Sequence, residues 1–247
     1  MSGIDWYQTW RPALLAWLAG GDPYSVPTFY GPPWALLPLA PLALLPPAWG
    51  RWALFALSLA GLAAAARYAG HGRAGVVLLL LSPPAVHGLL NANIDWLPLL
   101  ALGMPRPVGL LFLAAKPQIG AGVAAYWLIE AIWRGGLNGL IDTAGPLALA
   151  LIWSLAAFGP WPLRMMAAPG AWFNAAPAVL LGPGVALAIA AGLLLLAVRS
   201  GRVRWALPAG PIAAPYLLFH SWVGVLAALP VGLLALADVG LWWVVLR

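Results

Sequence analysis

Cysteine is absent from this chain of 247 residues, which excludes disulfides and thiol chemistry and leaves the redox compartment unread. Charge is scarce as well: 7 % of residues are charged, against about 25 % in soluble domains. No polar stretch is long enough to fold as a separate soluble unit, so residues 1–247 read as one domain. The opening residues, Met1-Ser2-Gly3-Ile4-Asp5-Trp6-Tyr7, carry neither a basic region nor an apolar run, so they are not expected to act as a signal peptide. Nothing resembles a P-loop, a dinucleotide fingerprint or a Ser-His-Asp set. The three histidines are too scattered for a metal cluster. No cofactor is therefore expected.

What is present is apolar. Hydrophobic residues make up 64 % of the chain and the mean hydropathy is +0.92, the composition of a multi-pass integral membrane protein. The fold class expected is all-α, a polytopic transmembrane helical bundle. The 25 prolines and 28 glycines predict short, broken and re-entrant helices, which in lipid must border protein or a cavity. The net charge of +6 comes from 12 basic residues, all but one of them arginine. In this setting they mark topology rather than nucleic-acid binding.

Arginines gather at the cytoplasmic ends of spans. Arg67 with Arg73, then Arg106, Arg134, and the trio Arg199, Arg202 and Arg204 are the clear markers. Keeping all of them inside requires an even number of crossings between neighbours. Residues 74–90 then run outward, turn at Asn91-Ala92-Asn93-Ile94-Asp95, and return through 96–105. Residues 107–133 make a re-entrant hairpin with Lys116 at its tip, because 107–115 as helix rise only about 14 Å. The rival is a single kinked span over 107–133, which moves Arg134 outside. Beyond it, 143–159 goes outward, 177–198 returns, 206–219 goes outward and 224–245 finishes inside. Residues 48–66 come from outside, which puts Arg51 at an outer end against the rule. Residues 1–47 form an outer-face loop with interfacial helices, and 48–247 the transmembrane bundle.

Lys116 is the most informative residue. An ammonium in the bilayer costs roughly 2.5–3.5 kcal/mol on insertion scales, so it is kept for a partner or a polar cavity. Pro117 breaks the helix beside it. On this topology Asp5, Asp22, Asn91, Asn93, Asp95, Lys116, Gln118, Arg164, Asn174 and His220 share the outer side. That grouping predicts an outward-facing active site taking an anionic, phosphate-bearing substrate. Each residue also has a plain reading. Asp22, Asn91 and Asn93 are turn formers, Asp95 can cap a helix, and Lys116 can snorkel to headgroups. His87 reads as packing, His71 as a solvated loop residue, and Asp238 as an ion-pair partner for an arginine. Glu130 and Asp142 read as partners for the inner arginines. Trp6, Trp96 and Trp222 are interface anchors or stacking platforms for a sugar. Gly135 and Gly139 fall in an expected inner loop.

Several stretches resemble one family. Gly21-Asp22-Pro23-Tyr24, Phe29-Tyr30-Gly31-Pro32-Pro33-Trp34 and Leu39-Ala40-Pro41-Leu42-Ala43-Leu44-Leu45-Pro46 resemble the first outer loop of polyprenol-phosphate-dependent mannosyltransferases (glycosyltransferase family 87, of the GT-C class). Leu90-Asn91-Ala92-Asn93-Ile94-Asp95 resembles the family's Gly-Gln-Val-Asn-like turn, Ala115-Lys116-Pro117 its Lys-Pro, and Ala214-Pro215-Tyr216 with His220-Ser221 its late Pro-Tyr segment. The resemblance implies a GT-C-like fold and transfer of a mannose-like sugar from a polyprenyl-phosphate donor to a glycan or glycolipid acceptor on the outer face of a bacterial plasma membrane. It implies Asp5 as general base, and Lys116 at the leaving phosphate with Arg11 or Arg164 as helpers. His220, Asp22, Tyr24, Asn91, Asn93, Asp95 and Gln118 become substrate-binding candidates. Family members carry a transmembrane helix ahead of the first outer loop. With Asp5 so near Met1, this chain is expected to lack it. The non-enzymatic alternatives are a lipid-phosphate binder or transporter, and a structural membrane subunit.

Overall fold

Proline placement explains most of the helix boundaries. A computed structural model describes residues 3–166 and 174–246. The chain enters through a π-helical turn, Trp6–Trp10, that runs into α1 (Arg11–Leu18). Short 3-10 elements at Pro23–Ser25 and Pro33–Leu39 follow, the second continuing as α2 (Ala40–Ala43). Then come α3 (Pro47–Tyr68), α4 (Arg73–Leu81), α5 (Pro83–Asn91), α6 (Trp96–Leu100), α7 (Arg106–Ala115) and α8 (Pro117–Phe158). The rest comprises α9 (Trp161–Met166), α10 (Pro177–Leu181), α11 (Pro183–Ser200), α12 (Ala209–Ala213), α13 (Val223–Leu226) and α14 (Val231–Val245). Proline opens α3, α5, α8, α10 and α11, where its missing N–H costs nothing and its fixed φ suits the first turn. Among the described residues there is no strand.

Three helices, α3, α8 and α11, are long and apolar enough to cross a membrane; α4 and α5, bent by 60° at Ser82, count as a fourth if taken together. The outer surfaces of α8, α11 and α14 expose large apolar residues such as Leu149, Leu187 and Val239, the surface a bilayer would cover.

Pro117 starts a helix rather than kinking one. Lys116 sits between α7 and α8 with extended backbone (φ −139°, ψ 84°), as a residue before proline prefers. α7 folds back along α8. Arg106 and Arg134 both pair with Glu130, so they lie at one end of this hairpin with Lys116 at the other. A single kinked span over 107–133 is excluded by that pairing. Asp142, by contrast, is exposed and has no ion pair among the described residues.

The expected inner loop at Gly135–Gly139 is helical apart from Gly136, whose φ of 58° and ψ of −142° break α8 in two. The second half returns toward the amino-terminal segment, where the Phe158 ring lies 5.9 Å from Trp17 and 6.2 Å from Tyr24.

Other spans differ from expectation. Residues 74–90 are broken at Ser82, whose side chain caps the proline-led α5. Residues 177–198 are broken at Gly182. Residues 206–219 hold only the five-residue α12 and an extended run, too short to cross, because three prolines (Pro208, Pro211 and Pro215) interrupt them. Residues 224–245 are divided before α14 by Pro230.

Arg51 finds a structural use. Buried within the bundle, its Nη2 donates to the carbonyls of Leu89 (2.8 Å) and Leu90 (3.0 Å), at the end of α5. A cation there satisfies carbonyls the helix leaves free. Gly3 N also donates to Leu90 O at 2.9 Å, so the amino-terminal segment docks on the same helix end. Among the described residues Asp238 pairs with no arginine: it is buried in the apolar α14 and its Oδ1 has no hydrogen-bond partner there. His71 is not a solvated loop residue, since its Nε2 lies 2.9 Å from Ala227 O and ties the α3–α4 turn to α13.

Candidate active site

Four separate chain segments converge on one buried polar network. Ala92, in the left-handed region at φ 62°, ends α5 and lets Asn93 N reach back to Gly88 O at 2.9 Å. This turn delivers Asn93 and Asp95 to the interior. The α7–α8 joint delivers Lys116. The 3-10 turn Phe219–Trp222 delivers His220 and Ser221. The amino-terminal segment brings Asp5 to the same place.

Lys116 Nζ donates to Asp95 Oδ1 and to Asn93 Oδ1, the latter at 2.5 Å. An ammonium only donates, which fixes the orientation of the Asn93 amide. Asn93 Nδ2 is then left to donate twice, to Asp5 Oδ2 at 2.7 Å and to His220 Nε2 at 3.2 Å. His220 accepts at Nε2, so its proton sits on Nδ1 and is donated to Asp95 Oδ2 at 2.5 Å. Ser221 Oγ donates to the same oxygen at 3.0 Å. His87 stacks on His220 with ring centroids 5.7 Å apart. His87 therefore flanks the network as well as packing.

Asp95 is saturated. Burial alone would raise its pKa, but the Lys116 charge, then His220, together with their hydrogen bonds, outweigh burial and hold the carboxyl below the usual aspartate range. It is the counterion of the site, not a base. Asp5 differs: it is half-buried, one oxygen takes the Asn93 hydrogen bond, and it borders open space.

That open space is a cavity of about 560 Å³. Asp5, Asn93, Lys116 and Gln118 form part of its wall, and Thr9, Thr28, Tyr30, Tyr216 and the segment from Ala213 to Leu218 form much of the rest. Asn174 holds that segment in place, its Oδ1 accepting from Leu217 N and Ala176 N, both at 2.9 Å, while its Nδ2 donates to Pro215 O.

Other expected site residues lie off the cavity. Asp22 caps the Pro23–Ser25 turn through Tyr24 N (2.9 Å) and lies 3.6 Å from Arg164. Tyr24 is buried, its hydroxyl donating to Gly31 O at 2.9 Å and its ring stacked on Trp161. Burial, then Asp22, push the Tyr24 hydroxyl above its ordinary pKa against the pull of Arg164. Neither borders the cavity; their bonds hold the loop that carries Tyr30 and Gly31. Arg11 does not border the cavity, and its Nε is buried without a partner among the described residues. Asn91 sits beside His87 at 3.2 Å, outside the cavity wall. Trp6 and Trp96 are buried, the former bonded to Pro47 O, so neither offers a face to a sugar. Trp222 is tied to Ala175 O at 3.1 Å.

The places of Thr9, Thr28, Tyr30 and Tyr216 on the cavity wall were not expected. Tyr30 and Tyr216 stand inside the segments that carry the resemblance, which was the available signal; the two threonines had none. Among the described residues, no three histidine or acidic side chains gather as a metal would require. Comparison with protein-family models, curated proteins and solved structures returned no match for this chain.

Proposed function

We propose that the chain is a membrane glycosyltransferase of GT-C type, which moves a mannose-like sugar from a polyprenyl-phosphate donor to a glycan or glycolipid acceptor. In this reading the cavity opens on the outer face of a bacterial plasma membrane. One observation carries it: a half-buried carboxylate, Asp5, and a buried ammonium, Lys116, border the same cavity and are bridged by one amide, Asn93. Inverting transfer needs this pair of charges. The acceptor hydroxyl gives its proton to Asp5 as its oxygen attacks the sugar carbon. The bond from that carbon to the phosphate oxygen breaks, and the electron pair leaves on the phosphate. Lys116 meets the charge that develops there.

The test uses purified protein in proteoliposomes with a polyprenyl-phosphate mannose donor and membrane glycan acceptors. Asp5→Asn is expected to lower transfer by about 10²–10⁴-fold while donor binding, read by native mass spectrometry, stays intact. Full transfer by Asp5→Asn would overturn the mechanism.

A second reading rests on a specific feature. Lys116 already has a counterion in Asp95, and every polar atom of the Asn93 amide is satisfied within the chain. A network complete in itself suits a structural subunit of a larger membrane assembly; a lipid-phosphate binder or transporter would use the same Lys116 cavity without needing Asp5. Under the structural alternative, Asp5→Asn and Lys116→Met change neither binding nor transfer, and the chain purifies with stable partners.

A further inference from the structure

A small void meets the polar network where α3 packs on the α5–α6 turn. It holds about 10 Å³, room for one water molecule. Its wall includes Ser58, Asn93, Asp95, Trp96 and His220, each of them buried. Of these, only Asn93 also lines the large cavity. Two of the wall groups carry hydrogen-bonding capacity that the chain does not use. Trp96 is 3 % exposed, and its Nε1 has no partner among the described residues. Its indole is held against α3 at Gly61, where an added Cβ would come within 2.6 Å of Cε3. Ser58 gives its only side-chain proton to Leu54 O at 2.7 Å, the back-bond of a serine inside a helix. Its Oγ lone pairs accept from nothing among the described residues.

We propose that this void is a site for one internal water, which accepts from Trp96 Nε1 and donates to Ser58 Oγ and to an oxygen of the Asn93–Asp95 turn. Three bonds are what a buried water ordinarily makes. Dry voids are apolar ones, whereas a hydroxyl, an amide, a carboxylate, an imidazole and an indole all border this one. An indole N–H taken out of water on folding needs a new acceptor, and the void is where one fits. Through the water, Ser58 and Trp96 become positioning residues. They tie the Asn93–Asp95 turn to α3, and that turn holds Lys116. The inference does not depend on what the large cavity binds or on whether the chain transfers sugar.

The test reads the indole N–H directly. Protein labelled with ¹⁵N-tryptophan is held in lipid nanodiscs, where each of the 16 tryptophans gives one indole resonance. Trp96→Phe identifies the Trp96 resonance by its loss. In a rotating-frame experiment, a bound water passes magnetisation to the indole proton with the sign of dipolar contact, opposite to that of proton exchange with bulk water. The expected result is a dipolar water peak at Trp96 in the parent. Ser58→Ala is expected to lose that peak while keeping the indole resonance, because the water then lacks one of its acceptors. A Trp96 indole without a dipolar water peak in the parent overturns the proposal. A Ser58→Ala variant with the parent's full water peak overturns it too, since the water would not then tie the turn to α3. Should Trp96→Phe fail to fold, a density map of the parent that resolves waters decides the question. A water within hydrogen-bonding distance of Trp96 Nε1 and Ser58 Oγ supports the site, and a void without one overturns it.

Discussion

Asn93 Nδ2 donates to Asp5 Oδ2 at 2.7 Å across 88 positions of sequence, and this bond ties the amino-terminal segment to the α5–α6 turn. Asn93 is the hub of the site: the same amide accepts from Lys116 and donates to His220. It holds Asp5 as a carboxylate with one oxygen engaged and the other available.

Asn93→Ala is expected to leave Asp5, Lys116 and His220 each short of a hydrogen bond. Each buried group left unsatisfied costs about 1–3 kcal/mol, and the loss is read as a lower unfolding temperature in detergent. Asn93→Asp is the sharper probe of the proposed base. It keeps an acceptor for Lys116 but replaces the donor to Asp5 with a second carboxylate, so Asp5 loses its hydrogen bond. Sugar transfer should fall further than the loss of stability accounts for. Transfer equal to the parent's would detach Asp5 from the rate.

Asp95 carries the charge balance. Its folded-state pKa lies below the ordinary value of 3.8, so the stability it contributes is present above that value and is lost only as pH falls through the lower, folded-state one. Asp95→Asn strands the Lys116 ammonium in the interior and should cost about 3–5 kcal/mol at neutral pH. Measured against pH, the gap between parent and variant should stay open down through 3.8 and narrow only below it. A gap that closes nearer neutrality would mean that Asp95 is not the counterion.

Much of this arrangement was legible in the sequence because lipid makes polar residues expensive. Lys116 before Pro117, and the Asn93–Asp95 turn, stand out against an apolar background. The hairpin of α7 and α8 could be read from charge alone, since Arg106 and Arg134 had to share a side. What stayed hidden depends on contacts between distant segments. Arg51 contradicts the rule for arginines because it caps α5, a helix end 38 residues away. Asp22 and Tyr24 look like site residues by motif, yet their bonds to Tyr24 N and Gly31 O are local scaffolding. The breaks at Ser82, Gly182 and Pro230 follow from proline and glycine. Hydropathy averages them away, so long apolar windows overstate span length.

Gly122 allows α12, which leads into the cavity wall, to pack closely on α8. A Cβ added there would lie 2.2 Å from Ala206 O and 2.7 Å from Gly210 N, backbone atoms at the approach to α12 that cannot swing aside. Gly122→Val should push α12 off α8 at a cost of about 1–3 kcal/mol. Because the segment from Ala213 to Leu218 follows α12 directly and lines the cavity, binding of a polyprenyl phosphate should weaken along with thermal stability. Loss of stability with unchanged binding would show that this wall does not contact the ligand.

The absence of cysteine makes the orientation directly measurable, since a single introduced thiol is the only one in the chain. Gln118 lines the cavity beside Lys116, while Gly135 is exposed in open space next to Arg134, at the opposite end of the α7–α8 hairpin. In right-side-out vesicles, a membrane-impermeant maleimide is expected to label Gln118→Cys, and to label Gly135→Cys only after permeabilisation. The Glu130 pairing fixes Arg106 and Arg134 to one end, so the two positions must report opposite sides whichever way the bundle is inserted. Labelling of Gly135→Cys in intact vesicles with Gln118→Cys protected would invert the protein. The cavity would then face the cytoplasm, and the outer-face donor and acceptor would have no access to it.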